Sequence, residues 1–143
     1  MPKISFYVLP SEKESARLGL TLKLAEKAFH ASEKTLLLFD EASFMEEVDN
    51  TLWGIREEAF IPHEIITHAQ EIDPLDTIYL SQAEWEIPGL SLLINLSQTL
   101  PKNLVVYQRV FEVISQHPTS IEMSRQRYRD YRALGYTIET HKL

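Results

Sequence analysis

Cysteine is absent from the 143-residue chain, which rules out disulfides and thiolate-bound metal. Glycine is scarce: there are four, and none falls in the turn Leu9-Pro10-Ser11-Glu12-Lys13-Glu14 that follows the first strand-like segment. A mononucleotide-binding α/β domain carries glycines at that turn, as G-x-G-x-x-G or a P-loop, so that backbone amides reach phosphate. Here Glu12 and Glu14 would repel one instead. No G-x-S-x-G elbow is present, and the histidines (His30, His63, His68, His117, His141) show no HExxH spacing, so no metal site and no cofactor are expected. No apolar run approaches the ~20 residues that span a bilayer. Met1-Pro2-Lys3 leads directly into a strand-like segment without a signal peptide's apolar stretch, so the expectation is a cytoplasmic protein. A net charge of −7 argues against wrapping nucleic acid, which needs a broad basic surface.

What is present is a local reversal of sign. Residues 1–118 carry 9 basic and 18 acidic side chains, whereas 119–143 carry 5 and 3. Four arginines fall within the eight positions of Arg125-Gln126-Arg127-Tyr128-Arg129-Asp130-Tyr131-Arg132. The segment reads as a helix opened by a Thr119-x-x-Glu122 capping box and closed by Gly135 in a left-handed cap. At 100° per residue Arg125, Arg129 and Arg132 lie within about 60° of one another, with Ile121 and Tyr128 on the same flank. Met123, Tyr131 and Leu134 are the expected core anchors, and Arg127, among them, is expected to reach out along its aliphatic stem. A stripe of this kind is either a solvated face or an anion-binding surface. Only Asp130 is near enough to neutralise it, which favours binding.

In chain order, Ile4–Leu9 reads as a strand, and Ser11-x-x-Glu14 as a capping box opening a helix to about His30 with Leu18, Leu22, Ala25 and Phe29 inward. Thr35–Phe39 is a continuous apolar run, as in a strand covered on both faces. Asp40 then caps a helix whose inner stripe is Phe44, Val48 and Leu52. Thr77–Leu80 and Leu90–Leu96 read as further strands. Leu104–Val113 alternates well enough to read as a longer strand, although Arg109–Glu112 could also begin a helix. Tyr136–Thr140 reads as a closing edge strand. Alternating strands and helices predict one α/β domain over 1–143 with a mostly parallel sheet flanked by helices.

A second stretch, Leu52–His63, crowds large apolar residues at and beyond the end of the second helix. Leu52 continues the inner stripe. Trp53 points about 100° away from it, and Phe60-Ile61-Pro62 reads as an extended loop. Trp53 and Phe60 are therefore either core or protein-interface anchors. The carboxylate clusters Glu46-Glu47-Asp49 and Glu57-Glu58 lie in polar helical surroundings and read as solvated faces, not acid/base pairs.

Together the two stretches resemble the chi subunit family of bacterial DNA polymerase III holoenzyme. The resemblance rests on Phe6–Leu9, on Leu52-Trp53 followed by Phe60-Ile61-Pro62-His63, on Ile94-Asn95-Leu96, and on Arg125-x-Arg127-Tyr128-Arg129-x-Tyr131-Arg132-x-x-Gly135-Tyr136. It implies a Rossmann-like domain without a nucleotide-binding loop, acting as a non-catalytic accessory subunit of the clamp-loader assembly in DNA replication. The implied partners are the acidic C-terminal tail of single-stranded DNA-binding protein, at Arg125, Tyr128, Arg129, Arg132 and Ile121, and the psi subunit, at Trp53, Phe60, Pro62 and His63. DNA contact would be indirect. Carboxylates suit arginine forks, and a terminal aromatic suits a niche bordered by Tyr128 and Ile121. Ile121 departs from the family, which can carry a basic residue there. The competing readings are a nucleotide-binding or enzymatic domain that uses the cleft beyond the strands' carboxyl ends, and direct single-stranded DNA binding through Arg125–Arg132.

Overall fold

The computed structural model describes residues 2–54, 61–68, 72–73 and 77–143. Its elements run β1 (Lys3–Val8), α1 (Glu14–His30), β2 (Thr35–Leu38), α2 (Ala42–Gly54), β3 (His63–Ile65), β4 (Ile78–Ser81), β5 (Leu92–Asn95), β6 (Arg109–Ile114), α3 (Pro118–Ala133) and β7 (Ile138–Lys142). The strands form one parallel sheet in the order β3-β4-β2-β5-β6-β1-β7. This is the single α/β domain expected, Rossmann-like in its layers. Among the described residues no helix is long and apolar enough to cross a membrane.

The central strands are buried at every position, which is why Thr35–Leu38 and Leu92–Asn95 are continuous and not alternating in hydrophobicity. Alternate residues serve two cores. Leu37, Phe39, Ile94 and Phe111 face α1 and α2, while Ile4, Phe6, Leu36, Leu38 and Val110 face the side that α3 covers. Phe44, Val48 and Leu52 form the inner stripe of α2 as expected, joined by Met45. The stripe of α1 is rotated from expectation. Leu20, Thr21, Leu24, Ala25 and Ala28 are buried, and Leu18, Leu22 and Phe29 pack at its margins.

Neither expected capping box forms. At α1 the cap is Lys13, whose N–H is bonded by Ser11 Oγ at 3.0 Å, because Glu14 is drawn to Arg17 at 3.1 Å. At α3 the cap is His117, its Nδ1 accepting from Thr119 N at 3.2 Å, because Pro118 opens the helix earlier than Thr119 would. Asp40 does not cap α2 either. Met45 N bonds Glu41 O, and the Asp40 carboxylate takes Gln98 N at 3.1 Å. The C-terminal cap of α3 is as expected: Gly135 has φ +90°, Gly135 N donates to Arg132 O, and Tyr136 N donates to Tyr131 O. Ring contact between Tyr131 and Tyr136 completes this cap and sends the chain back into β7.

The expected strand Leu104–Val113 is two elements. Leu104–Val106 is a 3-10 turn held by Glu84, which accepts from Asn103 N and Tyr107 OH, and the strand starts at Arg109. Val105 and Val106 are exposed on that turn. The short edge strand β3 was not expected; three residues carry too little alternation to be seen.

Candidate functional site

Helix α3 has an inward and an outward set of polar residues, divided by the helical period. Inward lie Tyr131, fully buried, and Arg127, only 5% exposed. The expectation that Arg127 would reach solvent is therefore corrected. Glu112 of β6 lies directly beneath it, with Arg127 Nη1 at 3.3 Å from Oε1. Arg127 also donates to Thr99 O at 2.7 Å and Gln98 O at 2.5 Å. Tyr131 OH and Asn95 Nδ2 donate to Glu112 Oε2 at 2.6 and 2.9 Å. Burial pushes the Glu112 carboxyl above its ordinary range, against the charge of Arg127 and the hydrogen bonds from Tyr131 and Asn95. Burial and the nearby carboxylate push the Tyr131 hydroxyl up, so it stays a neutral donor. Leu134, the third expected anchor, is 53% exposed beside the helix end, and Met123 is half-buried.

Sequestering Arg127 leaves Arg125, Arg129 and Arg132 exposed, and none of these three has a carboxylate partner among the described residues. Asp130, the expected neutraliser, accepts from Gln126 Nε2 at 2.9 Å instead. Arg129 Nη2 donates to Gln126 Oε1 at 3.0 Å. Arg132 Nη1 donates to Tyr128 OH at 3.3 Å, with the guanidinium 5.8 Å from the ring centroid.

Beside this face lies a hollow of about 640 Å³ between α3 and β7. Its floor is apolar: Phe6, Val8 and Ile114 of the sheet. Ile121, Arg125, Tyr128 and Arg129 form the helix wall, and Tyr128 stands edge-on to Phe6 at 6.0 Å between centroids. Four of the five residues expected at a tail site thus share one hollow, and Arg132 stands outside it, against the Tyr128 hydroxyl. The opposite wall, Thr140 and Lys142, was missed by sequence reasoning. The available signal was the alternation of the last strand, which puts both residues on one face. Volume, apolar floor and cationic walls suit an apolar side chain flanked by carboxylates.

The second expected cluster lies at the other end of the sheet. Trp53 is 54% exposed at the end of α2 and its ring sits 4.5 Å from that of His63. His63 is buried beneath it, with Nδ1 donating to Ile61 O at 2.7 Å and Nε2 approaching Asp49 Oδ1 at 3.1 Å. Pro62 is half-buried, and Phe60 lies outside the described residues. Trp53 is the outward element here, and the His63 ring packs beneath it.

The cleft at the strands' carboxyl ends is lined by Glu14, Asp40 and Glu41, with Arg17 turned to Glu14 and to Leu96 O. Carboxylates thus occupy the place where a nucleotide phosphate would need amides.

Comparison with known proteins places the chain. It matches the family described as DNA polymerase III chi subunit, HolC, over residues 1–139. It is 34% identical to the DNA polymerase III subunit chi of Pseudomonas aeruginosa over 143 residues, covering 100% of this chain and 98% of the relative. The subunit of the same name from Haemophilus influenzae is 22% identical over 139 residues, covering 96% and 95%. That of Escherichia coli is 20% identical over 144 residues, covering 98% and 97%. Among solved structures, the crystal structure of T4 UvsW superposes with a TM-score of 0.64 at 9% identity over 98% of this chain and 41% of that one, a likeness of fold alone. A match over nearly the whole length, joined to the arginine-bearing helix and the exposed Trp53 described above, makes this chain a member of the DNA polymerase III chi subunit family.

Proposed function

We propose that the protein is a non-catalytic accessory subunit of the clamp-loader assembly that grips the acidic, aromatic-ended C-terminal tail of single-stranded DNA-binding protein in the α3–β7 hollow. Arg125 and Arg129 take the tail's carboxylates, Tyr128 and Ile121 border its terminal ring, and Arg132 steadies Tyr128. Trp53, with Phe60 and Pro62 and with the buried His63 packed beneath the indole, meets the psi subunit, so that single-stranded DNA-binding protein and the clamp loader are bridged by one sheet. DNA is reached only through the bound protein.

The observation that carries this reading is the coincidence of exposed arginines, without carboxylate partners among the described residues, with an apolar-floored hollow, on a protein whose net charge is −7. Local cationic charge on a negative globule steers an acidic peptide to one place. Charge-assisted bonds contribute roughly 1.5–3 kcal/mol each. Less the ordering of a flexible tail, they leave an affinity on the order of micromolar, weakened by salt.

The test is capture on immobilised single-stranded DNA-binding protein, intact and lacking its last residues. Retention by the intact protein and loss with the truncated one is expected. Equal retention by both would reject the tail as the ligand. The nucleotide alternative requires thermal stabilisation that grows with nucleotide concentration. The carboxylates of Glu14, Asp40 and Glu41 oppose it.

A further inference from the structure

Resting on the reading of the hollow as a tail site, we infer that Lys142 on the edge strand is a further binding residue there, gripping a carboxylate upstream of the terminal one on a peptide that lies extended between α3 and β7. Lys142 pairs in register with Val8, a floor residue, and lines the hollow opposite Arg125 and Arg129. The two cationic walls belong to elements far apart in the chain, brought together because β7 returns alongside β1.

The alternation of β7 sorts its charges by face. Glu139, the one acidic residue of the strand, lies 3.2 Å from Lys3 Nζ and 3.6 Å from His141 Nε2. His141 in turn stacks on Tyr7 at 4.9 Å between centroids. Thr140 and Lys142 turn the other way, into the hollow. No carboxylate of β7 therefore competes on that side, and among the described residues Lys142 has no ion-pair partner. A lysine on an edge strand also discourages pairing with other chains. What makes Lys142 a ligand is the hollow that it borders.

Cations on both walls define the occupant's conformation. An extended backbone sends successive side chains to opposite sides, so one acidic residue can face α3 and its neighbour β7. A helical peptide would bring its carboxylates to one side at i and i+4, leaving one wall unmet.

The experiment titrates a fluorescent peptide of acidic residues ending in Phe, and versions with one aspartate at a time replaced by asparagine, against wild type, Lys142→Ala and Arg125→Ala. Lys142→Ala is expected to weaken the parent peptide about threefold, in the range of a partly exposed ion pair. One Asp-to-Asn peptide should lose the same factor on wild type and nothing further on Lys142→Ala. Undiminished binding by Lys142→Ala, or equal penalties for every peptide on both proteins, would overturn the assignment. Undiminished binding by Arg125→Ala would instead reject the tail reading itself. Circular dichroism and melting of each variant confirm that the fold is retained.

Discussion

Arg127 of α3 and Glu112 of β6 meet inside the protein, Nη1 3.3 Å from Oε1, with both side chains almost wholly out of solvent. The pair fixes the rotation of α3 on the sheet. With Arg127 held inward, Arg125 and Arg129, two positions either side, are turned about 200° away from it and out to solvent. A charge spent internally thus orients the charges available externally.

Arg127→Met and Glu112→Gln should each destabilise the fold, because removing one partner strands the other in a low-dielectric interior, typically at a cost of about 3–5 kcal/mol. Tyr131→Phe should cost less, about 1–3 kcal/mol, by leaving Glu112 short of one donor. Urea unfolding at neutral pH measures all three. If Arg127→Met is as stable as wild type, the pair does not hold the helix.

The pH dependence of stability carries the signature of Glu112. Its carboxyl is raised by burial in the folded state, so the folded protein binds more protons than the unfolded chain between the ordinary carboxylate pKa of about 4.3 and the raised value. This group's contribution is greatest below that window and falls as pH rises through it. The difference in unfolding free energy between wild type and Glu112→Gln should therefore shrink from about pH 4 upward. A difference that grows over the same range would mean that Arg127 outweighs burial.

Neighbours on α2 should separate stability from interface. Leu52 is fully buried in the core that faces α1 and α2, so Leu52→Ala should cost about 2–5 kcal/mol. Trp53, one residue on, is mostly exposed, so Trp53→Ala should retain the fold and lose capture of the psi subunit. Melting and pull-down on both variants check this. Retained capture by Trp53→Ala would remove that surface from the account.

What the sequence revealed followed from how local each signal was. The arginine-bearing helix, its Gly135 cap and the α2 stripe depend on residues within a few turns of one another, and all three stand where periodicity put them. The burial of Arg127 is not legible locally because its partner Glu112 lies fifteen residues earlier, on a separate strand that the fold brings beneath α3. Thr119 and Ser11 were read as caps because pairs three apart suggested boxes. Pro118 and the attraction of Glu14 to Arg17 decided otherwise. The alternation of β7 puts Lys142 on the face of Thr140, but that this face borders the hollow depends on β7 returning beside β1, a relation of topology that the local pattern does not encode.

The most direct test of the central claim is the affinity of an acidic, Phe-ended peptide for wild type and for Arg125→Ala combined with Arg129→Ala, at low and at physiological salt. The account predicts binding on the order of micromolar for wild type, weaker at higher salt, and a loss of tenfold or more in the double variant with its melting temperature unchanged. Equal binding by the two proteins, or wild-type binding indifferent to salt, would contradict it.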